Sequence, residues 1–458
     1  MARQGEVRGE RVTDLAPPAP QAPQAPPVRR RLHALLRRMV DVEPGEVQTL
    51  LVSFAYFFFV LSGWFVLRPI REAVAVAAGI SKLPYLFAGT LTAVLVANPL
   101  FSALVVRYPV RKFIAITYQF FVANILVFYA LMTFVAPAEG SAGDVWIGRA
   151  FFVWTSVFNL FVVSIFWAFM ADSFRSEQAK RLFGFIAVGG TLGSVLGSAA
   201  TAKLAPTIGT ANLLLISAVL IELAVLCVVR FPARQRASED RVALREELPI
   251  GGSAWAGFSH VLKSPYLLGI SAFLILLTLG STILYFEQAD IVGKAYADRA
   301  ARTAIMARIE LVVQSLTLVT QVFFTGRLIR WLGLAASLAF LPFVTMVGFA
   351  ALGAWPVFLT VATLAVARRA GNFALNNPAM EILFTVVPRE DKYKAKNFIE
   401  TFVYRGGDQI GAWGFAGLTA LGLGLSGIAF ATVPIAAVWL VLGLWLGRQQ
   451  GRLGARPS

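Results

Sequence analysis

The sequence has few of the residues that enzymes and metal proteins use for chemistry. Among 458 residues it has 1 cysteine, Cys227, and 2 histidines, His33 and His260. An intrachain disulfide is therefore excluded, and so is a zinc site built from histidine and cysteine. The sequence also lacks a phosphate-binding loop, a dinucleotide-binding glycine motif and a credible catalytic triad. We expect no enzyme, no cofactor and no bound metal.

Charge is also scarce, because charged residues make up 14% of the chain against 57% hydrophobic residues, with a mean hydropathy of +0.70. Twelve apolar segments follow one another, each about as long as the roughly 20 residues that a bilayer requires. These segments are 48–68, 85–106, 113–135, 147–173, 182–204, 209–230, 266–288, 303–326, 332–353, 355–379, 397–421 and 425–447. We predict an all-α membrane protein with twelve transmembrane helices.

The charge that is present is mostly positive, with a net value of +16. Basic residues concentrate in the loops that would share a side of the membrane with the N-terminus, which is typical of cytoplasmic loops. We therefore expect both termini in the cytoplasm, and anionic lipids rather than nucleic acid as partners. The alanine- and arginine-rich composition indicates a bacterium with a GC-rich genome, and hence a multi-pass protein of the cell inner membrane.

Composition also divides the chain into two similar halves joined by a charged linker. Each half would contain six spans, and the linker carries aromatic and aliphatic residues near helical spacing, which predicts an interfacial helix. The predicted parts are a Pro/Ala-rich tail with a basic amphipathic segment at 1–47, an N-terminal half at 48–230, a linker at 231–265, a C-terminal half at 266–447 and a cytoplasmic tail at 448–458.

A glycine pattern supports the duplication. The fifth and eleventh segments are each entered by an Ala-Lys pair and then carry glycines at nearly the same spacing. In membrane helices such small residues indicate close helix packing. The glycines assigned to packing are Gly189, Gly193, Gly197, Gly407 and Gly411. Folds built from two repeats bind their substrates between the halves, near the midplane.

Paired arginines stand where the first segment ends, in the sequence LRPIRE at 67–72. Arg68 and Arg71 are three residues apart and share a helix face, so they could grip a phosphate or carboxylate together. Pro69 between them is expected to disturb the helix. The alternative is that both side chains extend to the headgroups at the membrane surface.

Two acidic residues end other segments. Asp172 closes the aromatic fourth segment and could serve substrate binding, or simply pair with Arg175 at the membrane surface. Glu287 ends the seventh segment and corresponds to Arg71 when the halves are superimposed. The two could pair across a central cavity, or Glu287 could form a salt bridge at its rim. Several other charges inside the spans are interpreted as structural ion pairs: Glu222, Arg308, Glu310, Arg368, Glu400, Arg405 and Asp408.

These motifs resemble the nucleotide transporters of the ATP:ADP antiporter family, which are similar to the major facilitator superfamily. The resemblance is carried by 67–72, by the acid-ended aromatic segment 166–172, by Glu287, and by the sequence NPAMEI at 377–382 followed by KAK at 394–396. It covers nearly all of the membrane part. It implies a major facilitator-like fold of two six-helix halves.

The chain departs from the family pattern at positions that matter for nucleotides. Met380 replaces a lysine that the family uses for nucleotide transport, Asn377 replaces an aspartate, and Arg71 replaces another lysine. Arg369 lies about three helical turns before Met380 and is the candidate to replace the missing cation. However, the Asn-Asn-Pro sequence at 376–378 is predicted to break this helix just before Met380.

Together these features predict a monomeric secondary transporter that works by alternating access. Arg68, Arg71 and Arg369 would bind an anionic small-molecule substrate, possibly a nucleotide such as ATP or ADP. Asp172 and Glu287 would act as switching partners or as a proton site. Two alternatives stay open: a proton-coupled major facilitator carrier or exporter of an unrelated solute, and a membrane sensor or scaffold that transports nothing.

Overall fold

The structure is a computed structural model. It describes residues 42–43, 45–107, 109–135, 138–174, 176–232, 261–262, 264–323, 325–387, 396 and 398–454. The chain divides into two units, Met1–Val47 and Gln48–Ser458. The predicted amphipathic segment of the tail and the predicted interfacial helix of the linker lie outside the described residues, apart from a few at their ends.

The first half consists of six long helices. They are α1 (Val47–Ala77), α2 (Leu83–Arg107), α3 (Val110–Ala130), α4 (Ala142–Ser173), α5 (Ser176–Ile208) and α6 (Asn212–Val229). A 3₁₀ turn at Ile80–Lys82 precedes α2, and a π turn at Leu131–Val135 extends α3. Each helix is predominantly apolar, as a membrane span requires.

The second half repeats this order, with a kink at Gly333 inside its third helix and π turns in its fourth and fifth spans. Its helices are α7 (Pro265–Ala295), α8 (Arg299–Phe323), α9 (Thr325–Ala354), α10 (Phe358–Gly371), α11 (Asn377–Leu383), α12 (Tyr404–Ala420) and α13 (Leu425–Gly454). A π turn at Asn372–Asn376 joins α10 to α11, a 3₁₀ turn at Phe384–Val386 follows α11, and a π turn at Ile399–Val403 precedes α12.

Ten helices in the described part of the chain are long and apolar enough to cross a membrane, and this part contains no strand. The prediction of an all-α membrane protein is confirmed. The two other expected spans, 355–379 and 397–421, are present as the shorter helical pieces α10 to α11 and α12 with its preceding π turn. They are shorter because a π turn interrupts the regular helix in each.

The first helix is longer than expected. We predicted that the span would end near Arg68, but α1 continues through Pro69 to Ala77. A proline inside a helix removes only one backbone hydrogen bond, and the apolar residues after it are compatible with a helix. The chain turns only at Gly79, whose φ of 87° favours glycine. Arg68 and Arg71 therefore lie within α1 rather than at its end.

The predicted helix break before Met380 is also wrong. Asn376 and Asn377 have helical backbone angles, with φ of −67° and −60°. The wider π turn at Asn372–Asn376 accommodates Pro378, which then takes one of the first positions of α11, where its missing N–H has no helical partner anyway. The tenth span thus changes its helical register without ending.

The same helix pairs recur in the two halves. Within each half the fifth helix packs on the first, α5 on α1 and α12 on α7. Between the halves the fifth helix of one packs on the second helix of the other, α5 on α8 and α2 on α12. Equivalent helices of the two halves therefore make equivalent contacts, as expected for two similar halves.

Glycines allow the fifth helix of each half to approach its partner closely. A Cβ atom at Gly197 would lie 2.5 Å from the carbonyl oxygen of Ser62, and one at Gly189 would lie 2.7 Å from that of Phe54. Gly193 faces the carbonyl oxygen of Phe58 still more closely. In the other half, a Cβ atom at Gly407 would meet the side chain of Thr278 of α7, and one at Gly411 would meet the side chain of Thr282. We call these two contacts the glycine seams.

Candidate functional site

Two arginine side chains contact the carboxylate of one glutamate where the two halves meet. Arg369 of α10 donates from both terminal nitrogens to the two carboxylate oxygens of Glu310 in α8, with Nη2 2.7 Å from Oε2. Arg68 of α1 approaches the same carboxylate, with Nε 3.4 Å from Oε1. Glu310 and Arg369 belong to the C-terminal half and Arg68 to the N-terminal half. A single carboxylate therefore links the halves near the middle of the bundle.

Arg71 lies one helical turn further along α1 and has its own partners. Its Nη1 is 2.8 Å from Oε1 of Glu72, and its Nε donates to Ser156 Oγ of α4 at 3.2 Å. The guanidinium carbon lies 3.9 Å from the ring centroid of Phe152, in a cation–π contact. These contacts hold the guanidinium plane inside the bundle. The alternative that Arg71 extends to the membrane surface is not what the structure shows.

We call Arg68, Arg71, Glu72, Glu310 and Arg369 the charge cluster. Its three arginines keep 18 to 24% of their side-chain surface exposed, whereas Glu72 and Glu310 keep 9% and 4%. The cations therefore remain accessible while the anions are covered. Three cations against two anions also leave one net positive charge, and such an excess inside a membrane protein favours an anionic ligand.

Glu287 does not pair with Arg71 as the half-to-half correspondence suggested. Its residue surface is fully buried in α7, and neither carboxylate oxygen has a hydrogen-bond partner among the described residues. Arg71 instead uses Glu72, its neighbour in sequence. Burying a carboxylate charge without a partner is costly.

Three other predicted residues lie away from the cluster. Asp172 is exposed at the end of α4, 16 residues or about 24 Å along the helix from Ser156. Glu222 accepts a hydrogen bond from Gln119 within the N-terminal half, at 2.8 Å. Arg308 is exposed on α8, on the side opposite to that of Glu310. The expectation that Asp172 joins Arg68 and Arg71 in one site is not met.

The charges of the eleventh span pair within their own half. Arg405 and Asp408 are one turn apart on α12, with 3.8 Å between Nη1 and Oδ2. Asp408 also accepts a hydrogen bond from Thr282 of α7 at 3.4 Å. Glu400 lies in the π turn before α12, and its side chain is outside the described part of the structure. The observed contacts agree with the structural pairing expected of Arg405 and Asp408.

Arg368, next to Arg369, points to the other side of α10 and is buried. It donates hydrogen bonds to Thr345 Oγ1 at 2.8 Å, to Ser281 Oγ at 2.9 Å and to the carbonyl oxygen of Leu277 at 2.8 Å. All three acceptors are neutral and belong to the C-terminal half. Arg368 therefore joins α7, α9 and α10 rather than lining the contact between the halves.

Met380 lies in an apolar cluster of the C-terminal half with neighbours such as Leu383 and Tyr266. Asn377 is exposed. The acidic residue of the same motif, Glu381, pairs with Lys396 across the exit of the tenth span, 2.8 Å from its Nζ. The residue at the position of the family lysine is therefore packed against apolar side chains in this chain.

A second ionic contact between the halves was not predicted from the sequence. Arg299, at the start of α8, donates from Nη2 to Oδ2 of Asp144 in α4 at 2.5 Å, and both side chains are buried. Glu139 accepts from the backbone N–H of Arg299 at 3.3 Å. A hydroxyl contact of 3.4 Å between Thr210 and Thr303 lies nearby. We call the Asp144–Arg299 pair the latch, and the end of the bundle where it lies, with Gly79, the Gly79 end.

The sequence contained only a weak sign of the latch. Ser141 and Asp144 form a helix-capping pattern, and Ser141 indeed accepts from the backbone N–H of Asp144 at 3.2 Å. Asp144 also accepts from the backbone N–H of Gly140 at 3.0 Å. A residue that caps its own helix gives no indication of a partner 155 positions away.

The comparisons with known proteins follow the same direction. No protein-family model matches the chain. The chain is 26% identical over 248 residues to ADP,ATP carrier protein 2 of Chlamydia pneumoniae, a match that covers 48% of this chain and 46% of that protein. The chain thus spans about half the length of this curated relative. The relative confirms the resemblance that the motifs indicated.

Among solved structures, the chain superimposes on an auto-inhibited peptide transporter of the POT family with a TM-score of 0.58 and 14% identity, over 90% of this chain and 99% of the other. It superimposes on a D-xylose-proton symporter with a TM-score of 0.56 and 13% identity, over 88% and 97% of the two chains. The chain has the major facilitator fold. All three similar proteins are transport proteins rather than enzymes.

Proposed function

We propose that the chain is a membrane transporter whose charge cluster binds an anionic, phosphorylated small molecule between the two halves. One observation carries the proposal: Arg68 and Arg369, from different halves, meet at the carboxylate of Glu310. Two guanidinium groups around one anion are also the arrangement that a phosphate group requires. A substrate phosphate can take the place of the Glu310 carboxylate on Arg68 without disturbing Arg369.

Replacement of the Glu310 carboxylate by a substrate phosphate on Arg68 would couple substrate binding to movement of the two halves. Glu310 and Arg369 belong to the same half, so their bond is kept when the halves separate, whereas the bond from Arg68 to Glu310 must break. A substrate that binds Arg68 compensates for that loss. Alternating access then requires the latch and the Arg68–Glu310 bond both to break when the halves separate at the Gly79 end, with the substrate held between the halves.

ATP and ADP are the leading substrates because the curated relative is an ADP,ATP carrier. The test is counter-exchange by purified protein in liposomes preloaded with nucleotide, with labelled ATP, ADP, other nucleoside phosphates and inorganic phosphate offered outside. We expect saturable exchange that falls by about tenfold or more in Arg68→Gln and in Arg369→Gln, since each removes a charge-assisted contact to phosphate. Arg308→Gln is the matched control, because Arg308 is exposed on α8.

Unchanged exchange in both cluster variants would refute this site. Absence of exchange by the folded wild-type protein with every phosphorylated substrate would refute the substrate class. In that case an unrelated solute, or a sensor or scaffold role without transport, would explain the fold.

A second candidate function is proton-coupled transport, and Glu287 favours it. A fully buried carboxyl group without a partner is the kind of group that proton-coupled carriers use inside the membrane. We expect Glu287→Gln to abolish stimulation of uptake by an imposed pH gradient while counter-exchange of substrate at equal pH persists. Glu222→Gln is the control, because Glu222 is already bonded to Gln119. Gradient-driven uptake that survives in Glu287→Gln would exclude Glu287 as the coupling group.

The location follows from the same proposal. We place the protein in a bacterial inner membrane as a monomer with both termini in the cytoplasm, because basic residues concentrate on that side. The Gly79 end, with the latch, then faces away from the cytoplasm.

A further inference from the structure

A large groove on the N-terminal half has no part in the charge cluster. It has a volume of about 1300 Å³ and lies between α2, α3 and α4. Its walls are apolar and aromatic, with Leu86 of α2, Phe121 of α3 and Phe161 of α4 at its buried floor. Phe120 and Val96 on its sides are each 60% exposed, so the groove opens on the surface that faces the lipid.

One end of the groove is basic. Lys82 and Arg149 both line it, at the starts of α2 and α4, together with Tyr85 and Trp146. The guanidinium carbon of Arg149 lies 4.8 Å from the centroid of the Trp146 ring, and Lys82 Nζ lies 5.8 Å from that of Tyr85. Aromatic rings beside cations at the end of membrane helices are typical of the headgroup level of a bilayer.

These two cations lack an acidic partner in the described part of the chain. None of the described carboxylates forms a salt bridge with Lys82 or Arg149, and the Nε atom of Arg149 is buried without a hydrogen-bond partner. A buried guanidinium N–H group that is left unpaired is costly. The groove therefore offers an apolar channel inside the membrane and an unsatisfied cationic site at its end.

We propose that this groove is a binding site for one anionic phospholipid of the surrounding bilayer. The lipid phosphate would accept hydrogen bonds from Arg149 and Lys82, and its acyl chains would cover Phe120, Phe121 and Leu86. The cationic end and the apolar channel complement the two parts of such a lipid, which a second protein copy or a free anion would not match in both respects.

The basic end of the groove also contacts the other half of the molecule. Tyr85, at the basic end, makes an edge-to-face contact with Trp413 of α12, with 5.3 Å between ring centroids. This contact joins α2 to the other half at the Gly79 end. A lipid that orders Tyr85 stabilises the contact between the halves there, and its loss weakens that contact.

The test is native mass spectrometry of the full chain in detergent, titrated with phosphatidylglycerol, with phosphatidylcholine and with diacylglycerol of the same acyl chains. We expect one phosphatidylglycerol per chain to bind about tenfold or more tightly than phosphatidylcholine, and diacylglycerol more weakly still. The double variant Lys82→Gln, Arg149→Gln should lose this preference for phosphatidylglycerol. Lys203→Gln is the control, because Lys203 is an exposed cation outside the groove.

A second variant keeps both cations and blocks the channel. Ala150→Trp places a large ring on the α4 wall and should reduce the binding of both phospholipids. Size-exclusion chromatography and helical circular dichroism establish that each variant is folded. Equal phosphatidylglycerol binding by the wild type and the double variant would overturn the proposal. A dimer that excludes lipid would also overturn it, since the groove would then be an interface between two copies.

Discussion

At the scale of single residues, Glu310 is the most deeply buried charged group of the charge cluster, with 4% of its side-chain surface exposed. Its carboxylate is almost fully buried and receives two arginines, so removal of its charge leaves two cations facing each other inside the protein. Breaking a buried ion pair by removing one partner costs several kcal/mol, since the remaining charge has lost its hydration without compensation. Glu310 therefore has a structural role in addition to its place in the proposed site.

We expect Glu310→Gln to destabilise the folded protein by about 3 kcal/mol. The measurement is the thermal unfolding temperature of the purified protein in detergent, by intrinsic tryptophan fluorescence. Arg308→Gln, on the same helix and exposed, should change the free energy of unfolding by no more than about 0.5 kcal/mol. Addition of Arg369→Gln to Glu310→Gln should recover part of the loss. Equal unfolding temperatures for Glu310→Gln and Arg308→Gln would contradict this account.

At the scale of helices, the glycine seams explain why α5 and α12 carry glycines at this spacing. A Cβ atom at Gly193 would overlap the carbonyl oxygen of Phe58, which belongs to the backbone and cannot rotate away. By contrast, a Cβ atom at Gly414 of α12 would meet nothing within 4 Å. The two positions are both helical glycines but differ in their surroundings.

Substitution by alanine should therefore have opposite effects on the stability of the protein at these two positions. Gly193→Ala should destabilise the protein by about 2 kcal/mol, because α5 and α1 must separate to admit the methyl group. Gly414→Ala should stabilise it by a few tenths of a kcal/mol up to about 1 kcal/mol, because alanine is the better helix former. Unfolding temperatures of the two variants test both statements. A neutral Gly193→Ala would mean that the seam is looser than described.

Helices were largely predictable from the sequence, but their partners were not. Apolar run length located the spans, since membrane helices must satisfy their own backbone groups. Several helix ends differ from the prediction by five residues or more, such as the C-terminal ends of α1, α7 and α13. The end of α1 and the π turn at Asn372–Asn376 were missed, because one proline or an Asn-Asn-Pro sequence does not decide whether a helix continues. That choice depends on packing against neighbouring helices, which the local sequence does not contain.

The charge cluster illustrates the same limit. Arg68, Arg71 and Arg369 were expected from their place inside apolar segments, where a charge is costly. Glu310 was not assigned to the site, because it is distant in sequence from Arg68 and Arg369. Glu72 directly follows Arg71 but was not assigned to the site either. The correspondence of the halves predicted Glu287 instead. It relates equivalent positions but does not determine which of them touch.

At the scale of the whole molecule, the named side-chain contacts between the halves lie at the Gly79 end or in the middle of the bundle. The latch lies beside a cavity of about 410 Å³ that includes Ala289 and Arg299 in its lining. The latch therefore joins the two halves at the Gly79 end. In the proposed transport cycle this end opens, so we expect the latch to set part of the equilibrium between the closed and open states.

We expect Asp144→Asn to shift this equilibrium toward the state that is open at the Gly79 end. The reporter is a cysteine at buried Ala289, in a Cys227→Ser background, labelled by a membrane-impermeant maleimide. Labelling should become several-fold faster in Asp144→Asn, because Arg299 loses a buried charged partner.

Charge reversal tests the same pair. Asp144→Arg combined with Arg299→Asp should restore slow labelling in part. Lys294→Gln is the control, because Lys294 pairs with Asp290 at the exposed surface, where an ion pair contributes little. Labelling that is equally slow in Asp144→Asn and in the wild type would show that the latch does not hold this end closed.

The glycine seams have a mechanical consequence. Where the backbone of one helix lies directly against the backbone of another, no side chain is present that could rotate to let them slide. This is the arrangement along the seam of α1 and α5, whereas the seam of α7 and α12 also includes the side chains of Thr278 and Thr282. We therefore expect α1 and α5 to move together as one rigid unit when the protein changes conformation.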